Sequence, residues 1–221
     1  MIKIEKLTQS YGEKVILDNV NLLIEKNELC ALVGRNGAGK STFIHSILGV
    51  IPVKKGTIEL NHISVKKQSW KRYVSYLPEK FQLYPHLTGK ENILFFASLK
   101  SDSVNEKHIN ECLKLVNLFE ERNMQLKWYS KGMLQRLGLA LMIYFDTEVL
   151  ILDEPTSGLD PIGRAEILSI LKSFSNKTIL FSSHHMDEIK EICTHVAYLE
   201  HGEIQKYTVA DFMNQVVNGG L

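Results

Sequence analysis

Gly34-Arg35-Asn36-Gly37-Ala38-Gly39-Lys40-Ser41-Thr42 follows the apolar run Leu29-Cys30-Ala31-Leu32-Val33 and leads into Phe43-Ile44-His45-Ser46-Ile47-Leu48, which stops at Gly49. A short apolar run bounded by glycine reads as a buried strand, and the amphipathic run after the loop reads as a helix. The loop between them has the spacing Gly-x-x-x-x-Gly-Lys-Ser/Thr. Its glycines permit φ > 0 and let phosphate oxygens approach the backbone. The freed N–H groups and the helix N-terminus then face an anion. Lys40 has the reach for β- and γ-phosphates, and the Ser41 hydroxyl suits Mg²⁺. Every residue from Gly34 to Thr42 is therefore a candidate nucleotide contact.

The bulk properties fit this reading. A chain of 221 residues holds one sizeable core, with room for an inserted subdomain. A net charge of +1 gives no electrostatic pointer to nucleic acid or to an anionic membrane surface. The longest apolar runs, Val149–Leu152 and Ile93–Ser98, are too short to span a bilayer. Met1-Ile2-Lys3-Ile4-Glu5 alternates like a strand and carries no signal-peptide core. Cys30, Cys112 and Cys193 are widely spaced in apolar patterns, as structural thiols of a reducing compartment are.

Along the chain, residues near 2–24 and 57–65 alternate as half-buried strands do, and Tyr73–Leu77 is a further apolar strand. A mainly helical region follows, from about Tyr84 to Phe145. Thr88-Gly89-Lys90-Glu91 is a capping box that opens a helix through Leu99. Ile109, Leu113 and Val116 mark a second helix, and Ser130 opens a third. Strand and helix then alternate again: a strand at Val149–Leu152, a helix opened by Pro161, a strand at Ile179–Phe181, a hairpin turning at Gly202, and a helix at Ala210–Val217. The expected fold is α/β: a nucleotide-binding core with a parallel sheet, an antiparallel β edge layer and an inserted helical subdomain. Residues 1–80 and 146–221 are assigned to the core with its β layer, and 81–145 to the helical part of one domain.

Val149-Leu150-Ile151-Leu152-Asp153-Glu154-Pro155 carries the second half of the chemistry. A strand buried on both faces delivers two carboxylates at its C-terminal end, where open α/β sheets bind ligands. Asp153 suits Mg²⁺. Glu154, one residue on, points elsewhere and suits polarisation of an attacking water.

These motifs, with four others, make the chain resemble the nucleotide-binding subunit of an ABC transporter over nearly its whole length. Residues 34–42 match that family's Walker A and 149–154 its Walker B. Tyr129-Ser130-Lys131-Gly132-Met133-Leu134-Gln135-Arg136 is similar to its signature segment. Thr156-Ser157-Gly158-Leu159-Asp160 resembles the D-loop, Ser183-His184 with Glu188 the switch histidine, and Ser10-Tyr11-Gly12 the aromatic A-loop. The resemblance implies an ATP hydrolase that binds ATP and Mg²⁺ in a head-to-tail dimer. Tyr11 would stack on the base, a contact that does not separate adenine from guanine. Ser130 and Gly132 would meet the γ-phosphate bound by the opposing subunit. His184, rather than the adjacent His185, would hold that phosphate and the water against Glu154, with Lys40 completing the catalytic set. Asp160 would bridge the subunits or serve only as the N-cap before Pro161. The implied partners are a second nucleotide-binding subunit and an integral membrane permease, which would place the chain at the inner face of the cell membrane.

Two departures from the family pattern narrow the subgroup. Tyr76-Leu77-Pro78-Glu79 puts Glu79 where the family has a Mg²⁺-contacting glutamine, with Gln82 as the other candidate. Lys131 and Met133 replace a glycine and a glutamine of the signature. Both changes resemble bacterial subunits that drive type-2 export permeases. The alternatives are a soluble ABC-type mechanical ATPase acting on ribosomes or DNA, and a nucleotide-binding regulator that does not turn over. The first usually carries tandem domains or long coiled-coil insertions. The second sits poorly with intact Lys40, Asp153, Glu154 and His184. Lys66–Arg72 is basic but short, and reads as a solvated loop rather than a nucleic-acid contact.

Overall fold

The computed structural model describes residues 1–100, 103–174 and 176–217. Its elements in order are β1 (Ile2–Tyr11), β2 (Lys14–Ile24), β3 (Leu29–Val33), α1 (Lys40–Ile47), β4 (Lys55–Leu60), β5 (Ile63–Ser64) and β6 (Val74–Leu77). Then come α2 (Gly89–Ser98), α3 (Glu106–Leu115), α4 (Lys131–Phe145), β7 (Val149–Leu152), α5 (Pro161–Ser173), β8 (Thr178–Ser182), α6 (Met186–Ile192), β9 (His195–Glu200), β10 (Glu203–Thr208) and α7 (Val209–Val217). The chain divides into two compact units. One comprises Met1–Ser75, Glu148–Glu154 and Ser175–Leu221, and the other Tyr76–Thr147 and Pro155–Phe174. The segment Pro155–Phe174, which carries α5, thus groups with the helical residues.

The first unit is built on two sheets. The four-stranded sheet has the order β2-β1-β4-β5 and is antiparallel, with Ile4 opposite Leu22 on one side and Ile58 on the other. The six-stranded sheet has the order β10-β9-β3-β8-β7-β6. Here β9, β3, β8 and β7 run parallel, with Cys30 opposite Leu180 and Leu180 opposite Ile151. All residues of β7 and β8 are buried, which is why the sequence shows unbroken apolar runs there instead of alternation. β10 is added antiparallel to β9 through a two-residue turn, His201-Gly202, with φ of 49° and 84°. Two positive φ angles in succession give the turn whose twist suits a hairpin.

Lys66–Arg72, expected as a solvated loop, is instead anchored. Gln68–Arg72 forms a turn of 3₁₀ helix, Trp70 is buried, and its Nε1–H donates to the Val65 carbonyl at 3.1 Å. Burial of the indole draws the segment in and leaves Lys66, Lys67, Lys71 and Arg72 in solvent.

In the second unit the helix ends follow their caps. The Thr88 Oγ1 accepts from the Glu91 N–H at 3.2 Å, and the Glu91 carboxylate accepts from the Thr88 N–H at 2.7 Å, completing the capping box. That bond holds the Glu91 carboxyl below its ordinary range. Asn105 caps α3 through the His108 N–H, and Ser130 caps α4 through the Met133 N–H at 3.2 Å. Tyr129 fixes the entry to α4: its hydroxyl donates to the Glu121 carbonyl at 2.9 Å, and burial pushes its pKa up to about 12. Trp128, one residue earlier, is 70 % exposed.

Candidate functional site

The phosphate loop of the first unit leaves β3 at Gly34 and enters α1 at Lys40. Gly39 has φ 111°, and a Cβ there would stand 2.9 Å from Ile16 Cγ2. A Cβ on Gly34 would stand 2.6 Å from the Leu199 carbonyl oxygen. Both positions demand glycine, one for its backbone angle and one for space. The turn is closed by the Ala38 N–H donating to the Arg35 carbonyl at 3.0 Å. Arg35, Asn36, Gly37 and Ser41 are exposed, and Thr42 is half-buried. No side chain caps α1, and no acidic residue occupies its first turn. Its orphan N–H groups and positive end therefore suit an external anion. The Lys40 ammonium donates to the Gly34 carbonyl at 2.8 Å, which holds the charge on the loop itself.

Both carboxylates emerge from the end of β7, which the register sets beside the end of β8. Leu152 lies opposite Phe181, so the next residues, Asp153 and Ser182, meet at the C-terminal ends of β7 and β8. The Ser182 hydroxyl donates to Asp153 Oδ1 at 2.6 Å and accepts from the Glu154 N–H at 2.8 Å. Glu154 has φ 47°, in the left-handed region. For a residue with a Cβ this costs about 1–3 kcal/mol and recurs at functional sites. The bend turns the Glu154 carboxylate toward His184, whose Nδ1 lies 2.9 Å from Glu154 Oε2. The Glu154 side chain is 16 % exposed and that of His184 56 %, so the pair runs from the interior to the surface. Behind it, the Ser183 hydroxyl donates to Glu188 Oε2 at 2.8 Å and accepts from the His185 N–H at 3.1 Å. His185 stacks beside His184, with ring centroids 4.1 Å apart.

Sequence reasoning placed Asp153, Glu154 and His184 correctly at strand ends but missed Ser182. The strand was expected to end at Phe181, whereas it runs one residue further, and that residue joins the two acids. The signal was a serine one register step from Asp153 on a parallel neighbour.

Tyr11 ends β1 and is 54 % exposed, so its ring face is open to solvent. In the second unit, Ser130 and Gly132 lie at the start of α4, and the Leu159 side chain comes within 3.7 Å of where a Gly132 Cβ would be. Asp160 is the N-cap of α5: its Oδ1 accepts from the Gly163 N–H at 2.7 Å. Glu79 and Gln82 are both exposed in this unit.

Comparison with known proteins identifies the family. A family model described as "ABC transporter" matches residues 17–157, from within β2 to the first residues of the D-loop. The chain belongs to the ABC transporter family. This ABC subunit is 37 % identical over 209 residues to the bacitracin transport ATP-binding protein BcrA of Enterococcus faecalis, covering 92 % of this chain and 68 % of that one. It is 34 % identical over 226 residues to the lantibiotic transport ATP-binding protein SrtF of Streptococcus pyogenes, covering 100 % and 97 %. A solved "ATP binding subunit of ABC transporter" superposes with a TM-score of 0.84 at 27 % identity, covering 100 % of this chain and 95 % of that one. As a member of the family, the chain is an ATP-binding subunit and an ATP hydrolase. The α/β fold expected from the sequence is the one found.

The oxygen donors also suit a hard cation. Ser41 and Asp153 offer a hydroxyl and a carboxylate, and among the described residues no group of three or more His, Cys, Asp or Glu side chains could hold a metal by itself. Nucleotide-binding Mg²⁺ sites in general use one or two protein oxygens plus the substrate's phosphates and water.

Proposed function

We propose that this chain powers an export permease, working as a head-to-tail dimer of nucleotide-binding subunits docked at the inner face of the cell membrane. The observation that carries the hydrolytic part is the Glu154–His184 pair, with Ser182 bonded to both Asp153 and the Glu154 backbone. In this reading Glu154 takes up the proton of the attacking water, and His184 orients the carboxylate and contacts the γ-phosphate. Lys40 leaves the Gly34 carbonyl for the β- and γ-phosphates, and Tyr11 stacks on adenine. Residues 34–42 cradle the phosphate tail. Ser130 and Gly132 meet the γ-phosphate of the opposing copy, completing its site in trans, and Asp160 lies at the joint between copies.

Ser41 and Asp153 would hold Mg²⁺. When bound there, the ion would supply positive charge against the phosphates during transfer. The export assignment is supported by relatives named for bacitracin, lantibiotic and linearmycin transport or resistance. Among the described residues no helix is long and apolar enough to cross a membrane; in this reading the permease carries the translocation path. No nucleic-acid partner is expected.

The deciding experiment is capture of tagged Glu154→Gln protein from detergent-solubilised source cells in ATP and Mg²⁺, with partners identified by mass spectrometry. A polytopic membrane protein at stoichiometric yield is expected. Ribosomal proteins or DNA-bound factors without a membrane partner would overturn the proposal in favour of a soluble mechanical ATPase.

A further inference from the structure

We propose that Lys131 is a positioning residue of the ATP-closed dimer, its ammonium held out from the signature turn toward the phosphate tail of the nucleotide bound by a second copy. The proposal rests on the head-to-tail dimer described above. It starts from a packing relationship inside one compact unit. Lys131 is the first residue of α4 and is exposed. Its side chain turns back along the D-loop, so Cδ, Cε and Nζ lie 3.8, 3.7 and 2.7 Å from where a Cβ of Gly158 would stand. Gly158 has φ 67° and no side chain, and that space is what the ammonium occupies. Leu159, next in the loop, packs over Gly132, so the D-loop and the signature turn touch at two successive positions.

Among the described residues, the charge placed there has no acidic partner within ion-pair distance. The first turn of α4 has no acidic residue, and Oδ1 of the D-loop acid, Asp160, accepts from the Gly163 N–H. A lysine at the positive end of a helix is disfavoured by the helix dipole. Two positive potentials held together by packing are reconciled by an anion arriving from outside. In the dimer that anion is the terminal phosphate already assigned to Ser130 and Gly132. A glycine at residue 131 would leave backbone donors alone to meet it.

The test uses the full chain carrying Glu154→Gln, with ATP-driven dimerisation followed by analytical ultracentrifugation at several salt concentrations. K131M and K131Q are expected to raise the dimer dissociation constant about tenfold or more and to flatten its salt dependence, as loss of a charge-assisted contact does. K131R should restore both. ATP binding to the monomer should be unchanged in all of these variants, because Lys131 acts only on the partner's nucleotide. Neutral variants that match the parent in affinity and salt slope would overturn the proposal, as would an arginine variant no better than methionine. If the Glu154→Gln parent itself stays monomeric in ATP, the dimer reading fails. If the parent dimerises and K131M does so equally well, only the role of Lys131 fails.

Discussion

His184 and Glu154 meet at 2.9 Å because the chain bends into a left-handed conformation at Glu154 itself, directly after β7. The carboxylate proposed as general base is thus aimed by backbone geometry, and the histidine follows the end of the neighbouring parallel strand. Replacing Glu154 with Gln keeps the shape and removes the proton acceptor. Phosphate release should fall about 10²–10⁴-fold while ATP binding is retained. Stopped-flow phosphate detection and a nucleotide-binding titration on the same preparation separate the two effects. Turnover near the parent rate would assign the base elsewhere.

Ser182 supports that bend from behind. Ser182→Ala removes a donor from Asp153 and leaves the Glu154 N–H without its acceptor. The cost should be about 1–3 kcal/mol, seen as a melting temperature lower by several degrees. Hydrolysis should drop further than stability explains, since the bend positions the carboxylate proposed as general base. A variant with an unchanged melting curve and full kcat would make the serine incidental.

The phosphate loop tolerates no side chain where it touches β9. Gly34→Ala drives a methyl group to within 2.6 Å of the Leu199 carbonyl, a backbone atom that cannot swing aside. Nucleotide affinity should fall at least about tenfold, which corresponds to only about 1.4 kcal/mol, with far-UV circular dichroism unchanged. Lys40→Ala should abolish binding outright. Calorimetric titration with ATP checks both, and normal affinity in Lys40→Ala would mean the cradle lies elsewhere.

Thiol chemistry gives a test in pH. Burial pushes Cys30 up to about 12 and Cys112 up to about 11, and raises Cys193 further. The folded chain therefore keeps these protons at a pH where the unfolded chain, with thiol pKa near about 8.5, has lost them. The unfolded state then binds fewer protons, so stability is fully present below that value and declines as pH rises above it. Chemical denaturation at pH 7 and pH 10 should show the loss. A thiol reagent at pH 8 should modify the native protein slowly and the denatured protein at three sites, from Cys30, Cys112 and Cys193. Rapid labelling of Cys30 in the native state would contradict its buried place in β3.

Much of this architecture was legible because it rests on local rules. The strand–loop–helix at residues 29–48, the capping box at Thr88 and Glu91, and the hairpin around Gly202 each follow from residue types at fixed spacing. Pro161 and Asp160 announced α5 and its cap in the same way. What escaped was set by neighbours distant in sequence. No residue type signals a glutamate in the left-handed region. The role of Ser182 depends on its register against β7. Trp70 turned a basic stretch into an anchored turn because one indole found a core to enter. Lys131 read as a substitution in a motif, and its meaning came from Gly158, which only folding brings beside it.

The two tryptophans of the chain divide the molecule between them. Trp70 is buried, with its indole N–H bonded to the Val65 carbonyl, whereas Trp128 is exposed two residues before Ser130. The protein therefore carries two intrinsic chromophores with separate duties. Emission from Trp70 follows unfolding of the core. Quenching or a blue shift of Trp128 should follow a surface that arrives to cover the signature turn, so the proposed assembly can be sought optically in the unlabelled protein.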